Sequence, residues 1–340
     1  MSWWLPHNFE KKGHILKKRA RILGLIRNFF DSHDYTEVDT PALQICPVMD
    51  AHIHAFETRL FDVSRTKEKT MYLHTSPEFD MKKLISAGME RIYQICHVYR
   101  NAEGSRLHSP EFMLLEWYQA HKDYTALMDE CAALFRHIAK EIDIEHYKHK
   151  GQSCDPFGDW ERLSVTEAFV KYTNIDLTSV LNDRDSFANA AMELGVRVID
   201  TDAWDDIFHA VMSEKIEPNL GQGVPTILYD YPISMAALSR KKPEDPRFAE
   251  RFELYICGIE LANAFSELTD AKEQRARYNE EMTAKNKLYG EIYPPDEEFF
   301  KALEHMPDSA GIALGIDRLV MLATDTDDIS DVLWAPVQGL

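Results

Sequence analysis

The sequence predicts an α+β fold, a mixed and mostly antiparallel sheet flanked by helices. Two observations carry this. Apolar alternating segments come in adjacent pairs joined by short polar turns, at 91–120 and 251–268, as hairpins do. Long stretches with apolar residues at helical spacing separate the pairs. A doubly wound parallel sheet would instead alternate each strand with a helix.

The elements follow in order. Residues 14–33 read as an amphipathic helix, with Ile15, Ile22, Leu25, Ile26 and Phe29 at helical spacing. "YTEVDTPAL" is a short strand stopped by Pro41, and a second strand signal lies in 52–61. "HTSPEFDMKKLISAG" predicts a helix with Ser76 as N-cap, Pro77 in the first turn and Gly88 at the stop. Residues 91–100 and 111–120 are strands, and 124–142 form a helix. Gly, Pro, Asp and His mark 145–160 as a loop, and 164–216 is mostly helical with breaks. "PTILYDYPI" (225–233) is a strand, 251–268 a hairpin turning near Gly258, and 270–289 a charged helix. At 310–323 a strand meets Gly315 and becomes a helix. There is no repeat or clear linker. One domain over 1–340, with a mostly helical insertion around 145–216, is the simplest parse.

The chain has 340 residues, 45% of them hydrophobic, enough for a sizeable core. Lys plus Arg is 38 against 57 Asp plus Glu, a formal charge of −19. Such an acidic chain is not a general nucleic-acid binder, so a nucleotide must be held locally by a few arginines and metal ions. Cys46, Cys96, Cys131, Cys154 and Cys257 show no C-x-x-C spacing, which argues against zinc and suits a reducing cytoplasm. "MSWWLPHNFEKKGH" does not read as a signal peptide, and no run of about 18 apolar residues predicts a membrane span.

Three segments carry candidate chemistry. "YRNAEGSRLHSPEF" (99–112) packs Arg100, Arg106 and His108 into a loop between two strands. It is either a solvated hairpin tip or an anion site, since arginine matches phosphate oxygens with forked geometry. On the return strand, alternation puts Phe112, Leu114, Glu116 and Tyr118 on one face, suited to a flat polar ligand.

In "RFELYICGIELANAFSEL" (251–268), a two-residue turn at Cys257-Gly258 pairs Tyr255 with Glu260 and Glu253 with Ala262. Glu253 and Glu260 then share a face, where like charges about 4 Å apart repel by about 4 kcal/mol at a dielectric of about 20. A divalent cation such as magnesium relieves that repulsion, whereas a solvent-facing edge merely dilutes it. Glu267 is out of phase with Glu260, so a bulge must intervene if both face one site. Third, "GIALGIDRL" (311–319) sets Gly315 at a strand–helix junction with Arg318 one turn in, either simple turn chemistry or a backbone approach to an anion. Walker A, G-x-G-x-x-G and G-x-S-x-G patterns are absent.

Together these segments resemble the three signature motifs of class II aminoacyl-tRNA synthetases, in order, over about residues 14 to 325. The helix before Pro41 resembles motif 1, "YRNAEGSRLHSPEF" motif 2 and "GIALGIDRL" motif 3. "TSPEF", "EPNLGQG" and "GIELANAFSELTDA" are similar to the lysyl-tRNA synthetase branch. Only about 14 residues precede motif 1, too few for the anticodon-binding OB-fold of that branch. The resemblance is therefore to the truncated paralogues that attach lysine, preferentially β-lysine, to a lysine side chain of elongation factor P.

The resemblance implies roles at matching positions. Arg100 would contact the α-phosphate of ATP, Arg318 the γ-phosphate, and Phe112 would stack on adenine. Asn101, His108, Leu261 and Gly315 would border the nucleotide, and Glu253 and Glu260 would hold Mg2+. Ser76, Pro77, Glu78, Tyr118 and Glu267 would form the lysine pocket. A cytoplasmic homodimer built on motif 1, binding neither tRNA nor membrane, is implied. Alternatives are an inactive paralogue acting as a regulatory subunit, and a stand-alone tRNA-charging enzyme. Several positions depart from the family pattern: Ala102 replaces a glutamate, with Glu103 next, and Ser109, Ala264, Ser266 and Ala313 are also unusual. Ala313 adds a methyl at the pocket floor, where lysyl-tRNA synthetases carry glycine.

Overall fold

The computed structural model describes residues 3–236 and 238–337. Helix α1 (Pro6–Asp31) begins earlier than its periodicity suggests, because Pro6 supplies the first turn. The Pro41 segment splits into β1 (Thr36–Glu37) and β2 (Leu43–Gln44). β2 pairs with the hairpin β3 (Glu57–Phe61) and β4 (Glu68–Leu73) in a small second sheet. β4 is a strand the sequence hid behind its polar start.

Helix α2 (Glu78–Ser86) starts one residue later than expected, with Pro77 rather than Ser76 at the cap. Ser76 still serves the helix end, its Oγ accepting the Glu78 N–H at 3.0 Å. β5 (Arg91–Tyr99), β6 (Glu111–Ala120) and α3 (Tyr124–Glu141) follow. The predicted loop at 145–160 instead holds a two-stranded ribbon, β7 (Tyr147–His149) and β8 (Gln152–Cys154).

β9 (Glu161–Ser164) leads through a Ser164–Glu167 capping box into α4 (Val165–Thr173). Then come α5 (Leu177–Val180), α6 (Arg184–Glu193) and α7 (Trp204–Val211). Their apolar faces join in a separate cluster around Phe169, Phe187 and Phe208, which packs on the outer sheet at Leu228 and Tyr231. The chain continues as β10 (Thr226–Pro232), β11 (Phe248–Ile256), β12 (Ile259–Ser266) and α8 (Ala271–Tyr289). It closes with α9 (Glu297–Leu303), β13 (Ser309–Gly315) and α10 (Ile316–Thr324).

The main sheet has the order β1-β5-β6-β13-β12-β11-β10-β9. Its two outermost pairs are parallel and the inner strands antiparallel. Alternation on β6 sends Leu115 and Trp117 into the core under α1, α3 and α10. Glu116 and Tyr118 face the other way, toward α2 and α8.

One irregularity matters to the site. Tyr255 pairs with Glu260 but Leu254 pairs with Ala262, so Leu261 is an extra residue bulged from β12. This moves the partner of Glu253 from the expected Ala262 to Asn263. Beyond the bulge Asn263, Phe265 and Glu267 share the face of Glu260. Ala264 and Ser266 turn to the opposite face, where Ser266 Oγ accepts the Tyr124 N–H at 3.0 Å. These two departures from the family pattern therefore lie behind the sheet, not in the site.

Candidate active site

A cavity of 690 Å³ opens over the β6–β13–β12 face. At its floor lie Ser76, Glu78, Glu116, Tyr118, Gly311 and Ala313. Glu116 is 1% exposed and accepts hydrogen bonds from Ser76 Oγ at 2.5 Å and Tyr118 Oη at 3.0 Å. Burial, then the neighbouring Glu78, push its pKa up to about 8. Glu267, also 1% exposed, rises to about 8 through burial, with Lys82 pulling down and Glu78 and Glu116 pushing up. Both oxygens of Glu267 lack a hydrogen-bond donor of ordinary geometry among the described residues. Lys82 is nonetheless in ion-pair contact with one of them. Gly311 is required here: a Cβ would lie 2.2 Å from Tyr118 Cε1 and 2.3 Å from Glu267 Oε1.

A second group of side chains lies beyond Arg100, where the loop after β5 folds onto α10. Arg318 donates to the Glu260 carbonyl at 2.8 Å and the Leu107 carbonyl at 3.4 Å, and to His108 Nε2 at 2.6 Å. His108 Nδ1 meets Ser105 Oγ at 2.9 Å. His108 is exposed, but the desolvation of its ring, then Arg318 and Arg100, depress its pKa to about 4, so the ring is neutral and offers Nε2 as an acceptor. Arg100 lines the cavity and sits over the Phe112 ring at 5.2 Å, with its Nε buried and unpartnered among the described residues. It thus stands between a carboxylate-rich pocket and a guanidinium-bearing cleft. Asn101 is at the edge, its backbone N–H bonded to the His54 carbonyl at 2.7 Å. Ala102 follows in the left-handed region at φ 60°. Gly315 caps α10 at a negative φ, and a methyl added at its Cα would meet nothing nearer than 3.9 Å. Such a methyl would be in ordinary contact with Arg318 Cδ and the Leu261 carbonyl.

Beneath both groups, Asp317 forms a buried ion pair with Arg19 of α1 and accepts the Met113 N–H at 2.8 Å. The first helix, the β6 strand and α10 are thereby locked in one register.

Glu253 and Glu260 lie on one face. Glu260, its side chain 42% exposed, takes a raised pKa from partial desolvation and then from Glu253, the repulsion anticipated from the hairpin. Glu253 accepts from Tyr231 and Tyr255 at 2.6 Å each and from Arg251 at 2.6 Å. Of about four lone-pair sites on a carboxylate, three are used. Glu260 comes no nearer to Arg318 than 3.8 Å. Oxygen donors with sites to spare fit a magnesium ion that keeps water and phosphate ligands. No cluster of three or more His, Cys, Asp or Glu suited to a metal exists among the described residues.

The site residues inferred from sequence thus fall into two adjoining groups. Ser76, Glu78 and Tyr118 line the pocket and Glu267 lies beneath it against Gly311, with Pro77 at the α2 cap. His108, Glu260, Leu261, Gly315 and Arg318 gather in the cleft. Sequence reasoning noticed Glu116 but gave it no role, and it missed Lys82, Asn263 and Phe265. The last two follow directly from the bulge at Leu261.

Comparison with known proteins agrees with this architecture. The family model described as tRNA synthetases class II (D, K and N) matches residues 4–338. The elongation factor P–(R)-β-lysine ligase of Pectobacterium carotovorum subsp. carotovorum is 39% identical over 326 residues, covering 95% of each chain. That of Vibrio atlanticus is 38% identical over 98% of each, and that of Hamiltonella defensa 40% identical over 95% of each. This chain belongs to the class II tRNA synthetase family.

Proposed function

We propose that the chain activates lysine, preferentially β-lysine, with ATP as an aminoacyl-adenylate and transfers it to a lysine side chain of elongation factor P. The observation that carries this is the group of three carboxyls, half-buried Glu78 and buried Glu116 lining the pocket and buried Glu267 beneath it against Gly311, joined through Arg100 to the Arg318–His108 cleft. Three carboxyls at and just beneath one pocket, two of them protonated while it is empty, call for a ligand with more than one ammonium group. The names of relatives matched over 95% of both lengths supply the acceptor and the β-isomer.

The chemistry follows from charge. The substrate carboxylate attacks the α-phosphorus, the bond to the β-phosphate oxygen breaks, and pyrophosphate departs. Both partners are anionic, so Arg100 is needed to bring them together and to stabilise the charge that builds in line. Arg318, held straight by neutral His108, receives the outer phosphates. Glu253 and Glu260 would hold magnesium, which when bound neutralises triphosphate charge. In the second step the neutral amine of the acceptor lysine attacks the acyl carbon, an amide forms and AMP leaves. The same reading has the protein work as a cytoplasmic homodimer through its first helix, without tRNA, for which a charge of −19 offers little attraction.

Lysine-dependent ATP–pyrophosphate exchange tests the first step. Exchange stimulated by β-lysine more than by lysine is expected, and no stimulation by either isomer would contradict the reading.

A further inference from the structure

Lys82 sits one turn along α2 from Glu78, with its side chain 1% exposed. Its ammonium contacts Glu78 Oε1 at 2.5 Å and also pairs with Glu267 Oε2. It lies 5.3 Å from the centre of the Phe265 ring, which lines the cavity. Burial disfavours the charged amine, yet Glu267 and Glu78 outweigh that and raise its pKa, so it is a permanent cation. Nothing in the two-step mechanism above uses it.

We propose that Lys82 is a positioning residue for substrate recognition. It is an internal ammonium wedged between Glu78 and Glu267 that fixes both carboxyls at and beneath the pocket floor and leaves two net negative charges there once substrate binding has displaced the protons of Glu116 and Glu267. Resting on the lysine-activation reading, this makes the pocket the charge complement of a diamino acid with both amines protonated.

The groups facing Glu267 define the effect. From α2 come Glu78 and Lys82, and from β6 Glu116 and Tyr118, with Arg100 acting on Glu116. β13 presents no charged side chain, only the Gly311 backbone and the Ser309 carbonyl, which accepts the Glu267 N–H at 2.9 Å, and the 239 segment bridges through its main chain. Arg240 is turned away to Glu250 and Asp308. Lys82 is therefore the lone cation in contact with Glu267 among the described residues. It holds the proton affinity of that carboxylate low enough for a substrate ammonium to displace the proton near neutral pH. Without it, Glu267 stays protonated and an arriving ammonium finds a neutral acid.

The test compares wild type with Lys82→Met in lysine-dependent exchange from about pH 6.5 to about pH 8.5. The KM for lysine should rise about tenfold or more at the acid end and the gap should narrow toward the alkaline end, the size expected of a lost charge-assisted contact. The KM for ATP and kcat should stay within about threefold. Lys82→Arg should recover part of the acid-end loss. An unchanged KM, or a pH-independent rise with a parallel fall in kcat, would overturn the proposal. Should Lys82→Met fail to fold, wild-type calorimetry decides: lysine binding near pH 7, in two buffers of different ionisation enthalpy, should release protons. Binding without release refutes the role of Lys82, whereas absence of any binding or exchange in the wild type refutes the lysine reading instead.

Discussion

His108 Nε2 accepts a hydrogen bond from Arg318 Nη2 at 2.6 Å, joining positions 210 residues apart. A protonated imidazole could not accept it, and desolvation of the ring, with Arg318 and Arg100 nearby, keeps it neutral down to about pH 4 although His108 is exposed. ATP–pyrophosphate exchange should therefore show no His108 inflection near the usual histidine value of about 6.5. His108→Ala should raise the KM for ATP about tenfold by freeing Arg318. A wild-type inflection near about 6.5 that vanishes in this variant would contradict the assignment.

Arg100 bridges the pocket and the cleft, and its Nε has no partner among the described residues. Arg100→Ala should lower exchange by at least about 100-fold, the scale of a lost transition-state contact. Near-normal exchange in a folded variant would remove Arg100 from the reaction.

Two glycines on β13 should behave differently. Gly311→Ala drives a methyl to 2.2 Å from the Tyr118 ring and 2.3 Å from Glu267, at the pocket floor. Lysine-dependent exchange should fall by at least about 100-fold, since displacement of about 1 Å at a site costs that much. Gly315→Ala meets nothing nearer than 3.9 Å. Its melting temperature should match wild type, so any rise in its KM for ATP reports crowding of the nucleotide itself.

Glu116 and Glu267 are raised from 4.5 to about 8, and Glu217 to about 7, burial being the largest cause for each. A carboxyl with a raised folded pKa binds more protons folded than unfolded over that interval. Its contribution is full below about 4.5 and is lost as pH rises through about 8. The substrate-free protein should thus melt several degrees lower at about pH 9 than at about pH 6, and saturating lysine should shrink that difference. A melting temperature that rises over the interval would contradict the buried, protonated pocket.

Much of this site was legible in the residues. The out-of-phase spacing of Glu260 and Glu267 required a bulge, and the register places one at Leu261. The strand at 111–120 and the strand–helix junction at Gly315 stand where alternation and glycine put them. Lys82 was hidden because a lysine four residues after a glutamate usually marks a solvated helix face. Only the packing of α2 over the sheet turns that pair inward. β4 was missed because Glu68, Lys69 and Thr70 are exposed and only the adjacent Met71 and Tyr72 are buried, so no alternation shows. The α1 start was missed because its first turn relies on Pro6, not on apolar period.

The central claim is that the activated amino acid ends on a protein. Intact-mass spectrometry of elongation factor P, incubated with this chain, ATP, magnesium and β-lysine, tests it most directly. The account predicts a gain of one lysyl residue on a single lysine, absent when Arg100→Ala replaces the wild type. A factor of unchanged mass, in a reaction where the adenylate demonstrably accumulates, would contradict it.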